Sequence, residues 1–169
     1  MTTISGSGVA HVGGGGGGLT HGATINNLTT ANQAIANNTA ADFTMSNIVW
    51  DTDGYATGAS VLTVPAGLAG VYLITCTAAL VAASTPSTGY LAVELYATTN
   101  GDLAFRRIPW QEFTNAGLNT GVNFSVVAKL PAGDVIECFA TNHLGVSVSA
   151  LGSAGTFWYQ SLSAVYLHS

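Results

Sequence analysis

From residue 43 onward the chain is built of short runs of β-branched and aromatic residues, set apart by Gly, Pro, Asn and Asp. This pattern constrains the fold more than any other feature, because a two-residue apolar period fits a strand and not a helix. The clearest run is Gly121 to Leu130, where Val122, Phe124, Val126, Ala128 and Leu130 alternate with Asn123, Ser125 and Lys129. Successive strand side chains point to opposite faces, so one face of this run belongs on a core. Gly70 to Val81 repeats the arrangement, with Tyr72, Ile74, Cys76, Ala78 and Leu80 on one face and Thr75 and Thr77 on the other. Further runs are read at Phe43 to Trp50, Ser60 to Val64, Tyr90 to Thr98, Leu103 to Trp110, Val135 to Thr141, Val146 to Leu151 and Phe157 to Leu167. Pro65-Ala66-Gly67 and Pro131-Ala132-Gly133-Asp134 carry turn chemistry, with Pro and Gly supplying the backbone angles a tight reversal needs. The expectation is an all-β fold, an antiparallel jelly-roll sandwich of about eight to ten strands.

Residues 1–41 read differently. Gly13, Gly14, Gly15, Gly16, Gly17 and Gly18 are consecutive, and a Thr/Asn/Ala-rich tract follows to Ala41. Six glycines favour no single conformation, and a segment without charge or core gains order only on a partner. The reading is an extended N-terminal arm over 1–41 and a jelly-roll domain over 42–169, with Ala31 to Ala36 as the one stretch suited to a helical turn.

Charge is scarce. Three basic and eight acidic residues make up 7% of the chain, where a soluble domain carries roughly a quarter. The first charged residue is Asp42, and none lies between Asp53 and Glu94. Large uncharged surface marks an interface, so contacts with other chains are expected in 1–41 and 54–93, with more of the solvent-facing surface on the later strands. A net charge of −5 speaks against nucleic acid, which needs clustered Lys and Arg. Val61 to Ala83 is long enough to cross a bilayer, but Pro65, Gly67, Gly70 and three threonines interrupt it, so no membrane span is expected. The N-terminus shows no basic segment leading into an apolar one, hence no visible secretory signal. Cys76 and Cys138 lie in apolar runs and are expected as buried free thiols rather than a bridge.

The order of the runs resembles the trimeric jelly-roll superfamily of tumour necrosis factor and the globular head of complement's first component. The resemblance is carried by the aromatic-bearing strand ending at Val49-Trp50, by Val64-Pro65-Ala66-Gly67-Leu68-Ala69-Gly70-Val71-Tyr72-Leu73-Ile74, by Leu130-Pro131-Ala132-Gly133-Asp134-Val135-Ile136, and by the terminal run Phe157 to Leu167. It covers residues 43 to 168. The resemblance implies a compact homotrimer packed through one sheet face, and binding rather than catalysis. Similar heads occur on bacteriophage virions, as capsid-decoration proteins and as fibre or tail-tip modules. The glycine run departs from members with collagen stalks, since it is no Gly-x-y repeat.

The residues suited to chemistry are few. Gly13 to Gly18 satisfies a dinucleotide-binding glycine pattern only trivially, without the strand and helix that motif requires. His11, His21, His143 and His168 show no zinc-ligand spacing. Asp51 and Asp53 share a loop and are weak calcium candidates, with capping of backbone amides as the alternative. Neither a catalytic constellation nor a cofactor site is expected. The candidates for subunit or partner contact are Gly13 to Gly18, Tyr72, Arg106, Arg107, Trp110, Trp158 and Tyr159, since Tyr, Trp and Arg anchor interfaces. The expected function is structural: a homotrimeric capsid-decoration module on a virion, bound to the major capsid protein or another virion protein and located on the capsid surface rather than the tail. The alternative is a receptor-binding head of a tail fibre or tail tip that takes a host glycan or protein.

Overall fold

The computed structural model describes residues 21–28, 32–84, 89–98, 105–114, 119–152 and 160–169, with 105–114 and 119 described through backbone pairing. These residues form two antiparallel sheets and no helix. The strands are β1 (Gly22–Asn26), β2 (Gln33–Ile35), β3 (Thr39–Asp42), β4 (Asn47–Asp51), β5 (Ala56–Gly58), β6 (Val61–Thr63), β7 (Gly70–Ala82), β8 (Tyr90–Thr98), β9 (Phe105–Thr114), β10 (Asn119–Leu130), β11 (Val135–Asn142), β12 (Val148–Ala150) and β13 (Ser161–His168). The first sheet centres on β7. One edge of β7 pairs with β10 along Gly70–Val81, and the other carries β13 along Val71–Thr77 and β12 along Leu80–Ala82. Beyond β13 lie β1 and β4, and beyond β12 lies β2. The second sheet centres on β11, with β8 and then β9 on one side, and β3 and the β5–β6 hairpin on the other. The stretch Val61 to Ala83 forms β6, a turn and β7, and no helix among the described residues is long and apolar enough to cross a membrane.

The core lies between the sheets. Tyr72, Ile74, Cys76, Ala78 and Leu80 of β7 face Leu91, Val93 and Leu95 of β8 and Ile136, Cys138 and Ala140 of β11, all essentially buried. The period-two reading of β7 therefore gives the correct inward face. The two Pro-Ala-Gly turns lie side by side. Leu68 N–H donates to Pro65 O at 3.1 Å and Asp134 N–H to Pro131 O at 3.3 Å, while Val64 and the 133–134 backbone exchange bonds of 2.8 Å. Gly67 (φ 83°) and Gly133 (φ 86°) supply the left-handed residue of each turn.

Four expectations are corrected. Cys76 and Cys138 form a disulfide with a Cα–Cα distance of 6.8 Å. They occupy the inward faces of β7 and β11, the central strands of opposite sheets, so the apolar setting that argued for free thiols instead places the two sulfurs together. The arm ends earlier than residue 41, because β1, β2 and β3 are strands of the sandwich. Ala23, Ile25 and Ile35 are core residues. Asn27 Nδ2 donates to Gln160 Oε1 at 2.9 Å, and the buried Asn142 amide donates to the Ile35, Ala36 and Val146 carbonyls. The proposed helical turn is β2, paired with β12 through Ile35 and Val148. Phe43 to Ser46 is not strand. This segment crosses from β3 in the second sheet to β4 in the first, burying Phe43 and Met45 on the way.

Candidate functional site

Charge divides by face and not by position in the chain. The charge-free span 54–93 contributes β7 to the first sheet and β5, β6 and the start of β8 to the second, so early and late strands mix in both. The register places Val127, Leu73, Val165 and Gly22 in one row across the outer face of the first sheet, and Ser125, Thr75, Ser163, Thr24 and Trp50 in the next. The Thr75 and Ser125 hydroxyls lie 2.8 Å apart, and Thr24 Oγ1 donates to Ser163 Oγ at 2.9 Å. The hydroxyls thus satisfy one another and leave a face of short uncharged side chains. Val127 is 61% exposed and Leu73 37%. Trp50 lies over Gly22, where an added Cβ would meet its ring at 2.7 Å and the Ala164 carbonyl at 2.5 Å, so the indole covers the sheet only because residue 22 has no side chain. Among the described side chains on the outer rows of β10, β7, β13 and β1, Lys129 at the end of β10 is the one charge.

The outer face of the second sheet is unlike it. Glu137 pairs across to Tyr96 and Phe139 to Glu94, with Asp42 of β3 on the other side of Phe139. The Tyr96 and Phe139 rings lie 4.5 Å apart at 47°, and these residues line an open cleft. Burial pushes the Glu137 carboxyl above the usual range, and the Asp42 carboxylate pushes it further. On β9, Arg107 stands opposite Tyr96 and Trp110 opposite Glu94 in the register, while Arg106 stands opposite Ala97. Adjacent arginines therefore hold positions on opposite faces of this sheet.

Tyr72, expected at a subunit contact, is enclosed within a single chain. It is fully buried, its hydroxyl donates to the Leu68 carbonyl and lies 3.2 Å from the Tyr55 hydroxyl, and its ring stands edge-on to Tyr166. Its inward place on β7 makes it a core residue. Gly13 to Gly18, Trp158 and Tyr159 lie outside the described residues.

Asp51 is a capping residue. Its Oδ1 accepts from the N–H groups of Asp53 (3.2 Å), Gly54 (2.8 Å) and Tyr55 (3.0 Å), and its Oδ2 from Ala56 N–H (2.8 Å). Burial pushes this carboxyl up, but the four bonds outweigh it and hold the group below the ordinary value. Asp53 accepts from the Thr52 hydroxyl at 2.6 Å and lies 2.9 Å from His21 Nδ1, and both hold its carboxyl low. The His21 contact, which no sequence motif announces, ties the start of β1 to the β4–β5 loop. Asp51 thus spends both oxygens on the loop, and no group of three or more metal-ligating side chains occurs among the described residues. Asp51→Ala is expected to cost about 2 kcal/mol, since it leaves charge-assisted backbone bonds unmade; urea unfolding measures this. Because the folded carboxyl is lowered, its contribution is full above about pH 4 and is lost as pH falls through the folded value. The difference between wild type and Asp51→Ala should shrink over that acidic window.

No family model matches the sequence, and no curated protein matches it. Among solved structures, the chain is similar to the Eiger TNF of S. frugiperda, with a TM-score of 0.62 and 13% identity over 88% of this chain and 92% of that one. It is similar to murine APRIL with a TM-score of 0.60 and 12% identity over 86% and 99%. The fold is a TNF-type jelly roll. The globular domain of zebrafish complement 1qA protein matches with a TM-score of 0.53 and 13% identity over 88% and 98%. The jelly roll is thus the one that the family resemblance implied, and at these identities the likeness is one of fold.

Proposed function

We propose that this jelly roll is a non-enzymatic homotrimeric module that decorates a virion capsid. The observation that carries the reading is the outer face of the first sheet. It spans β10, β7, β13 and β1, presents hydroxyls already paired with each other, and exposes Leu73 and Val127, with the half-buried Trp50 of β4 beside them and one lysine at its margin. Such a face loses little on desolvation and gains from apolar burial. Closed threefold symmetry lets one kind of patch be buried in every subunit. The Cys76–Cys138 disulfide supports a location in an oxidising setting, of which a virion surface is one. Residues preceding β1 then serve as the attachment to the capsid protein, and binding only the assembled shell stabilises it by mass action.

The receptor-binding head of a tail fibre is the second reading. It is favoured by the concentration of carboxylates and aromatic rings on the outer face of the second sheet. Position and stoichiometry on the native particle separate the two. Many copies spread over purified capsids are expected, whereas a few copies confined to the tail would replace decoration by receptor binding. Deleting residues 2–20 is expected to weaken binding to bare shells at least tenfold; unchanged affinity would reduce that segment to a linker.

A further inference from the structure

The chain has two cysteines, 62 residues apart, and both enter the bridge. The backbone of each is held in place without it. Cys76 stands in β7 between Phe124 of β10 and Leu162 of β13 in the register. Cys138 stands opposite Leu95 of β8, and on its other side its carbonyl accepts the Phe43 N–H at 3.0 Å. Strand pairing on both sides therefore brings the two side chains face to face, and the bond is a consequence of the fold. A pair of thiols at this place would cost the core little, because a buried thiol packs as a small apolar group. Ile74 and Ala78 flank Cys76, and Ile136 and Ala140 flank Cys138, along the same inward rows. Both cysteines are fully buried, so no reagent reaches either sulfur while the sandwich is closed.

We propose that the Cys76–Cys138 pair is a redox lock: the sandwich forms with two thiols, and the bridge closes afterwards, when an oxidising medium supplies a small disulfide and the sheets part to admit it. In the exchange one cysteine thiolate attacks a sulfur of the small disulfide; a mixed disulfide forms and one small thiolate leaves. The second cysteine thiolate attacks the first cysteine's sulfur; the intramolecular bond forms and the second small thiolate leaves. Two electrons pass from the cysteine pair to the reagent, and the two cysteine protons end on the released thiols. A close-packed interior has no room for the mixed disulfide, so exchange in either direction requires opening of the sandwich. Once formed, the bond keeps the central strands of the two sheets from separating, which is the motion that exposes the core. The lock thus changes how readily the sandwich opens and leaves its architecture as it is. The inference rests on neither the trimer nor the capsid reading, because both sulfurs lie within one chain.

The test starts from the full chain purified in reductant. This dithiol form is expected to keep the near-ultraviolet circular dichroism and the NMR dispersion of the bridged form. Oxidised glutathione is then added, and free thiols are trapped over time to give the rate of closure. Closure is expected to be about a hundredfold slower in buffer, or slower still, than in urea that unfolds the chain. A protease that cleaves only the opened chain is expected to digest the dithiol form about tenfold faster, or more, than the bridged form. An unfolded dithiol chain would show that the bond makes the fold. Closure as fast in buffer as in urea would show that the sulfurs are accessible in the closed sandwich. Equal digestion of the two forms would show that the bond locks nothing. Each of these results overturns the proposal.

Discussion

Loss of the Cys76–Cys138 bridge is expected to lower the unfolding free energy by about 4 kcal/mol and the melting temperature by roughly 10 °C. The two cysteines are separated by 62 residues, and closing a loop of that length removes a large share of the unfolded chain's freedom. Both residues are fully buried at the centre of opposite sheets, so the bond joins the two halves of the sandwich through the core. Packing contributes little to the difference, since a buried thiol behaves as a small apolar group and leaves no uncompensated polarity. Urea unfolding of the oxidised and reduced chain measures it. Two thiols titrating in the unfolded chain without added reductant would show that the bridge is not formed in solution. A loss below about 1 kcal/mol would show that the two sheets are held by packing alone. Because both sulfurs are enclosed, native-state reduction is expected to be slow and limited by opening of the sandwich, whereas reduction in denaturant is fast.

The strands that the sequence reveals are those with long inward rows. β7, β8, β10 and β11 bury three or more residues at period two or pack them partly against the core, and their alternation reads directly as a strand face. The two turns between them are legible for the same reason, as Pro-Ala-Gly admits few backbone paths. β1, β2 and β3 escape detection because each has three to five residues and at most two core side chains. Their order comes from pairing with distant strands and from buried amides of Asn27, Asn142 and Gln160, which in sequence look like a polar tract. The bridge is hidden in the same way: an apolar neighbourhood fits a free thiol or a disulfide equally well, and only the facing of β7 and β11 decides. The division of charge was visible as scarcity but not as geometry. Strand pairing gathers Asp42, Glu94 and Glu137, remote in sequence, onto one face, and leaves the other to Thr, Ser, Leu and Val.

That division leads to the second large effect. Leu73→Asp is expected to convert the proposed trimer to a monomer at micromolar concentration while leaving the jelly roll folded. Leu73 lies mid-row between Val127 and Val165, and in one chain it is 37% exposed, so a carboxylate there stays hydrated in the monomer and costs about 1 kcal/mol or less in strand preference. In a threefold assembly packed through this face the same carboxylate is buried three times without a cation beside it. Each uncompensated buried charge costs several kcal/mol, enough to weaken association by three orders of magnitude or more. Ile48→Asp on β4, the outermost strand of the first sheet among the described residues, is the discriminating control. Ile48 is 55% exposed, more than Leu73, so if surface hydrophobicity alone drove association the Ile48 change would act more strongly. If the first sheet's outer face is the contact, Leu73→Asp dissociates the protein and Ile48→Asp leaves its mass in light scattering unchanged. A monomeric wild type, or a trimer that persists with Asp at position 73, would remove this face from the assembly. The near absence of charge across the first sheet would then have no role in association to explain it.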